Sequence, residues 1–393
     1  MNRITSNRFN SLLLAITIGL TTVLASTAAP IAASTAAPTS PAFSTAPFSG
    51  ASAIGPADAP GAVRKTSTSS VTSMQNEIVS RAVKQNDALD ETYRKNGDMK
   101  LSDGDFTGAM DEYDKALQVN PRNAMAYYGR GRVKLATSDY GAARIELNKA
   151  LNIDSNLTSA RLALIGILMY TRDFASGISE ATKVIESDPQ NALAFYERGI
   201  CDGEVGKRAE AVSDLSRAKS LLLASGDQVG CDFVNYSLGK QYQENGRYAA
   251  YQKDFTTALT DFDLALGINS NSAATLLAKA SAERDMGSND AALADYNKAI
   301  AVAPLLAEAY KDRGNFYLQN ASYQLAQEDF TKALAISPTD AELYKSRGRT
   351  YEALGNIESA NADYKQAELV ANATTKQDTE QLTKTIVELV QKV

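Results

Sequence analysis

The sequence predicts an all-α fold built from repeated helix–turn–helix units, and three observations predict it. Ala109, Ala143, Gly177 and Ala211 are spaced by 34 residues, as are Ala258, Ala292, Ala326 and Ala360; the one irregular interval, Ala211 to Ala258, is 47. A fixed period of this length marks stacked helical pairs. Four residues after the small residue comes a large apolar one (Tyr113, Leu147, Leu215, Phe262, Tyr296, Phe330, Tyr364). Three further on comes a second small one (Ala116, Ala150, Val184, Ala218, Ala265, Ala299, Ala333, Ala367). Small, large, small at spacings of four and three is one face of a helix. Finally, a glycine stands twelve residues before the first small residue at Gly97, Gly131, Gly199, Gly314 and Gly348. Inside a helix glycine costs roughly 1 kcal/mol against alanine, so its recurrence there implies close backbone approach between paired helices.

Taken in chain order, the first element is an export signal over residues 1–25. Arg3 and Arg8 precede the 15-residue apolar run Ser11 to Ala25, and small residues follow at Ser26-Thr27-Ala28. That layout is a secretory leader, and the run is short for a membrane span. The localisation expected is periplasmic or secreted, the alternative being an uncleaved N-terminal anchor. Residues 26–73 are Ala, Ser, Thr and Pro with few charges. Such a stretch buries too little to offset its chain entropy and reads as a disordered linker. A lead-in helix is expected at 74–89, where Ile78, Val79, Ala82 and Val83 share a face.

The repeat array follows at 90–374. Pro121, Pro189, Pro304 and Pro338 end second helices, because proline cannot continue the hydrogen-bond ladder. The 47-residue interval places thirteen extra residues within about 226–254. Leu238-Gly239 and Tyr242 match a first helix, yet Tyr248 and Phe255 compete for one slot seven residues apart. This splits the insertion into six residues near Gly226–Cys231 and seven around Tyr248–Asp254. An end helix is expected at 375–393, with Leu382, Ile386, Leu389 and Val390 on one face to cover the last repeat.

These columns resemble the tetratricopeptide repeat family. The closest matches within the chain are Tyr310-Lys-Asp-Arg-Gly314 through Pro338 and Tyr344-Lys-Ser-Arg-Gly348 through Ala367. The resemblance covers about residues 90–374 as eight units. It implies a right-handed superhelical solenoid whose first helices line a concave groove. Ile165 stands for the glycine and Gly177 for the alanine of the third unit, and Ala280 for the glycine of the sixth.

Composition narrows the function. The net charge is −6, and about −8 without Arg3 and Arg8. A mildly acidic array lacks the basic stripe that nucleic acid requires. Histidine is absent, which removes Ser-His and Cys-His bases and imidazole metal sites. No Gly-rich phosphate loop or CxxC pair occurs, so no catalytic residue, metal ligand or cofactor is assigned. Cys201 and Cys231 are the two cysteines; export permits a disulfide, whereas stacking of parallel helices holds them apart as free buried thiols.

A charge pattern accompanies the apolar columns. The residue before each large-residue slot is acidic: Glu112, Glu146, Glu180, Asp214, Asp261, Asp295, Asp329 and Asp363. The residue before the glycine slot is Arg130, Arg198, Arg313 or Arg347 in four units, which reads as a ladder of charge-assisted bonds between helices.

By the resemblance, binding belongs on the inner face of the first helices. That face comprises Tyr128, Leu162, Met169, Tyr170, Tyr196, Ile200, Phe233 and Tyr236, grading into Lys311, Asn315, Lys345 and Arg349. Aromatic, methionine and basic side chains there suit a polypeptide ligand. Packing between adjacent units is the competing account of the aromatic ones. Lys311 and Asn315 match the start of the carboxylate clamp found in one subclass of the family, but Ser346 stands where the next asparagine belongs. The function expected is a non-catalytic protein-binding scaffold outside the cytoplasm. The alternatives are a periplasmic assembly or chaperone factor and a subunit of a polysaccharide-processing enzyme.

Overall fold

The computed structural model describes residues 68–372 together with 380, 383 and 384. The expected leader and nearly all of the 26–73 tract lie outside the described residues, as does most of the expected 375–393 end helix. The described residues form sixteen α-helices and no strand. They are α1 (Thr68–Ser102), α2 (Phe106–Val119), α3 (Ala124–Ala136), α4 (Tyr140–Ile153), α5 (Thr158–Tyr170), α6 (Phe174–Ser187), α7 (Ala192–Glu204) and α8 (Arg208–Ser225). There follow α9 (Gln228–Tyr251), α10 (Phe255–Ile268), α11 (Ala273–Met286), α12 (Asn289–Val302), α13 (Ala307–Gln319), α14 (Tyr323–Ile336), α15 (Ala341–Ala353) and α16 (Ile357–Asn372). Odd-numbered helices are the first helices of the units and even-numbered ones the second. The lead-in and the first unit's opening helix are one continuous helix, α1, which starts at Thr68, so residues 68–73 of the expected linker are helical.

The chain divides into two compact units, up to Glu180 and from Ala181. Within the first, α1 packs on α2, α2 on α3, α3 on α4 and α4 on α5. Within the second, the same neighbour-to-neighbour packing runs from α7 to α16. Helix starts are set by side-chain caps. Asp105, Asp139 and Asp254 accept from the backbone N–H three residues on, and so do Asn123 and Asn191. Each cap satisfies one of the N–H groups that a helix start leaves without a partner.

The turn inside each pair has its own ruler. Gly104, Ser138, Arg172, Gly206, Lys253, Gly287, Ala321 and Gly355 all have positive φ, between 56° and 88°. Half of these are not glycine, so the slot is held by geometry that the side chains at Ser138, Arg172, Lys253 and Ala321 resist. The small columns are buried as the pattern requires: Ala109, Ala143, Ala211, Ala258, Ala292, Ala326 and Ala360 are fully enclosed.

The glycine column shows why the pairs close so tightly. A Cβ at Gly97 would sit 2.6 Å from the Tyr113 ring, and one at Gly348 would sit 2.6 Å from Tyr364. At Gly131, Gly199 and Gly314 it would meet Leu147, Leu215 and Phe330 at 2.9–3.0 Å. In each case the obstacle is the large residue sixteen positions on. Burying such a residue contributes roughly 1.5–3 kcal/mol, and the glycine makes the burial sterically possible.

The same contact corrects the register of the insertion. A Cβ at Gly246 would lie 2.8 Å from Phe262 and 3.1 Å from the Ala258 carbonyl, whereas at Gly239 its nearest neighbour would be Ile268 at 3.5 Å. Gly246 is therefore the column glycine, and no residue is inserted around Tyr248–Asp254. All thirteen precede Gly246. They lengthen α8 to 18 residues and α9 to 24, against 14 and 13 in regular pairs, while the loop between the two shrinks to Gly226–Asp227. A helical hairpin extended by packed turns replaces the looped insertion expected. Its inner face is buried through Val234 and Leu238, and its rim leaves Leu223, Val229 and Tyr236 exposed. Cys201 and Cys231 are both buried and free; burial pushes the Cys201 thiol up to about 12.

This register sets opposite expectations for two glycines in one helix. Gly246→Ala lowers stability by about 1–3 kcal/mol through overpacking, whereas Gly239→Ala raises it by up to roughly 1 kcal/mol through helix propensity. Urea denaturation of both variants checks this; the reverse order restores the register with Gly239 in the column.

Candidate functional site

The first helices carry two opposed polar faces, and their hydrogen bonding separates them. On the rear face, the cation before the glycine slot joins two second helices. In the first unit Arg130 bonds Asp114 (2.7 Å) on α2 and pairs with Glu146 (3.2 Å) on α4. In the second unit Arg198 bonds Thr182 (3.3 Å) and grips Asp214 with two nitrogens (2.6 and 2.9 Å). Arg313 bonds Asn297 (2.5 Å) and grips Asp329 (2.7 and 2.8 Å). Arg347 bonds Thr331 (3.3 Å) and grips Asp363 (2.8 and 2.8 Å). Lys279 fills the same slot in α11, between Asp263 (2.8 Å) and Asp295 (3.4 Å). Every partner lies sixteen residues before or after the cation. Each rung thus ties a pair to itself and to its predecessor, and the forked, charge-assisted bonds are the strong kind. The Arg–acid ladder read from the sequence is structural.

On a helix, positions two before and two after the rung cation point the opposite way, because two residues turn the helix by about 200°. Of the site residues inferred from sequence, Tyr128, Leu162, Tyr196, Ile200, Lys311, Asn315, Lys345 and Arg349 occupy these positions, the front face. In α13, Lys311 and Asn315 make no hydrogen bond or ion pair, whereas Arg313 between them is fully committed. In α15, Arg349 is likewise exposed and unengaged, and Lys345 bonds only Glu342 (2.7 Å) one turn away. The Lys345 bond, with smaller contributions from Arg349 and Lys311, holds the Glu342 carboxyl below the usual carboxylate range. Beside them Asp312, half-buried, makes no hydrogen bond; burial and then Glu308 push its carboxyl up to about 6.

The aromatic part divides differently. In the first unit Tyr128 is half-buried beneath the Arg132 guanidinium (5.7 Å), which itself bonds Asp98 (3.3 Å). Leu162 and Met169 are half-buried, and Tyr170, 41% exposed, stacks on Tyr140 at 4.3 Å. In the second unit Tyr196 is withdrawn into the core. Its ring packs on Phe233 at 5.2 Å and its hydroxyl lies 3.3 Å from Ser237, with Ile200 half-buried against the same cluster. Tyr196 is therefore a packing residue.

The corrected register also moves the α9 contribution. Phe233 and Tyr236 stand in the added turns of α9, the first against the core and the second 75% exposed. The front positions of α9 are Gln243 and Arg247, which the sequence reading missed. Their signal was available: Gly246, Ala280, Gly314 and Gly348 keep the 34-residue interval. Gln243 is half-buried, and its Nε2 is shielded from solvent without a hydrogen-bond partner. Among the described residues no group of His, Cys, Asp and Glu is arranged to hold a metal ion, and no helix is long and apolar enough to cross a membrane.

Two family models match the chain: one described as TPR repeat over residues 97–138, and one described as tetratricopeptide repeat over residues 277–341. Among solved structures, the chain is similar to the C-terminal part of a TPR repeat-containing protein from Cytophaga hutchinsonii. That match is 16% identical, covers 64% of this chain and 98% of the other, and has a TM-score of 0.49. It is similar to YrrB, described as a TPR protein with an unusual peptide-binding site, at 22% identity over 51% of this chain and 96% of that one, with a TM-score of 0.40. A tetratricopeptide repeat protein from Parabacteroides merdae is 18% identical over 76% and 99% of the two chains, with a TM-score of 0.29. No curated protein matches the sequence.

The two faces differ in what their loss does to stability. Arg313→Ala leaves the buried Asp329 carboxylate without its partner and lowers stability by about 2–4 kcal/mol. Lys311→Ala and Asn315→Ala, two residues away on the same helix, change it by less than about 0.5 kcal/mol. Denaturation midpoints of the three variants measure the contrast, and a cost at Lys311 equal to that at Arg313 contradicts it.

Proposed function

Since the chain carries tetratricopeptide repeats, a protein–protein interaction fold, we propose that it is a non-catalytic scaffold that captures a polypeptide partner on the front face of its first helices. The observation that carries this reading is the unused polar chemistry of that face in the second unit. Lys311, Asn315, Arg349 and the Gln243 Nε2 have donors to offer and make no side-chain hydrogen bond or ion pair within the protein. A polar group shielded from water is normally satisfied, so the unpartnered Gln243 Nε2, and the uncommitted donors of Lys311, Asn315 and Arg349, support a ligand that supplies the missing partners. The mixed charge, basic around Glu342 and acidic at Asp312 and Glu308, favours a polypeptide over a uniformly charged polymer. In the first unit, Tyr128, Leu162, Met169 and Tyr170 add half-buried apolar surface of the kind that anchors interfaces.

The scaffold acts outside the cytoplasm, delivered by the leader at 1–25 and joined to the array through the 26–73 tract. This rests on the charge, length and small-residue ending of the leader.

Two measurements test these statements. Full-length protein captures its partner from an extract of the source cells, and the triple variant Lys311→Ala/Asn315→Ala/Arg349→Ala binds the purified partner on the order of tenfold or more weaker, about 1.4 kcal/mol per decade. The control Lys332→Ala/Lys365→Ala, on second helices, binds normally. A triple variant that stays folded and binds like wild type places the interface elsewhere. N-terminal sequencing of the exported protein returns a chain beginning near Ser26 or Ala29; recovery of Met1 contradicts the cleaved leader.

A further inference from the structure

One rung departs from the rest. In the other rungs of the second unit an arginine fork engages both oxygens of a single carboxylate. In α11 the compact ammonium of Lys279 faces three carboxylates: Asp263 at 2.8 Å, Asp295 at 3.4 Å and Glu283 at 3.8 Å. An ammonium cannot serve three carboxylates as a fork serves one. Glu283 Oε2 and Asp295 Oδ2 are both shielded from solvent and have no hydrogen-bond partner. Glu283 itself is buried, at 6% exposure. Asp263 is largely solvated, at 62% side-chain exposure, and Asp295 Oδ2 is the oxygen 3.4 Å from Lys279, so the buried Glu283 carboxylate, at 3.8 Å, is the least compensated of the three. Keeping it charged is costly, and the cheapest remedy is a proton.

We propose that this rung is a proton-dependent lock: a proton on Glu283 tightens the packing of α11 between α10 and α12, and its loss loosens it. The charges facing Glu283 are Lys279 on its own helix, Asp263 from α10 and Asp295 from α12. Of the other helices on α11, α13 has its rung cation Arg313 committed to Asn297 and Asp329, and α9 carries the neutral Asn245 in the rung slot. Burial, and after it Asp295, raises the Glu283 carboxyl above the usual range. The sign follows from linkage. A carboxyl raised in the folded state contributes stability that is complete below its unfolded value and is lost as pH climbs through the folded value. Mild acid therefore closes this rung and alkali opens it. Because each unit of an array is held only by its neighbours, the opening stays local to α10–α12. α11 also presents Ser281 and Arg284, so the lock governs how firmly that stretch of first-helix surface is held.

The test is amide hydrogen exchange of the full chain at about pH 5 and about pH 8, corrected for intrinsic rates. Protection of residues 255–302 falls on the order of tenfold at the higher pH, relative to α13–α16 in the same molecule. Glu283→Gln, which imitates the protonated acid, abolishes the difference by raising protection at the higher pH. Lys279→Arg, which supplies the fork used by the neighbouring rungs, reduces it. The proposal is overturned if Glu283→Gln keeps the wild-type pH dependence, or if wild type shows no greater change in α10–α12 than in α13–α16. Should Glu283→Gln fail to fold, an unchanged pH dependence in Lys279→Arg overturns it and a reduced one supports it.

Discussion

The close approach of each first helix to the second helix that follows it is the contact on which the other features rest. A glycine on one side admits a tyrosine, phenylalanine or leucine sixteen residues later on the other. That contact fixes the register of the pair. With the register fixed, the residue before the glycine falls opposite the acid before the large side chain, and the rung forms. The same cation then reaches the preceding second helix, again sixteen residues away, so one steric fit within a pair propagates into contacts between pairs. The rungs add direction and specificity to an association whose main driving force is apolar burial. In α13 and α15 the side chains two positions to either side of the rung, Lys311, Asn315, Lys345 and Arg349, are left out of the rungs and of the core.

The fold was legible because its signals are periodic and reinforce one another. The alanine ruler, the large column and the acidic column each return every 34 residues, and the structure uses all three. What escaped the sequence had local causes. Gly239 and Gly246 both stand in helical sequence seven residues apart, so the pattern offered two registers. The choice between them depends on which glycine meets Phe262, a contact twenty residues or so distant. The positive-φ turn slots were hidden because Ser138, Arg172, Lys253 and Ala321 occupy positions where glycine is the usual marker. Helical phase placed Tyr196 on the front face correctly but gave no sign that the lengthened α8–α9 hairpin would cover it, since the covering residues belong to an insertion with no counterpart in other units. The polar members of the front face, Lys311, Asn315, Lys345 and Arg349, were found because they lie in regular units where phase alone decides orientation.

Division of labour within a single helix follows. In α13 the sequence Lys311-Asp312-Arg313-Gly314-Asn315 alternates groups that are spent on the fold with groups that are not. Arg313 and Gly314 serve the rung and the close approach; Lys311, Asp312 and Asn315 serve neither. A stable array needs the first set and is indifferent to the second, which is the arrangement expected where surface chemistry is selected for recognition and the scaffold beneath it is held constant.

The most direct test of this division is lysine acetylation footprinting of the protein with and without its captured partner. Lys311 and Lys345 lie on the front face, and Lys332 and Lys365 are exposed on second helices. Recognition through the front face predicts that the partner slows acetylation of Lys311 and Lys345 and leaves Lys332 and Lys365 unchanged. Protection of Lys332 and Lys365 with Lys311 and Lys345 still reactive would contradict it and assign binding to the second helices.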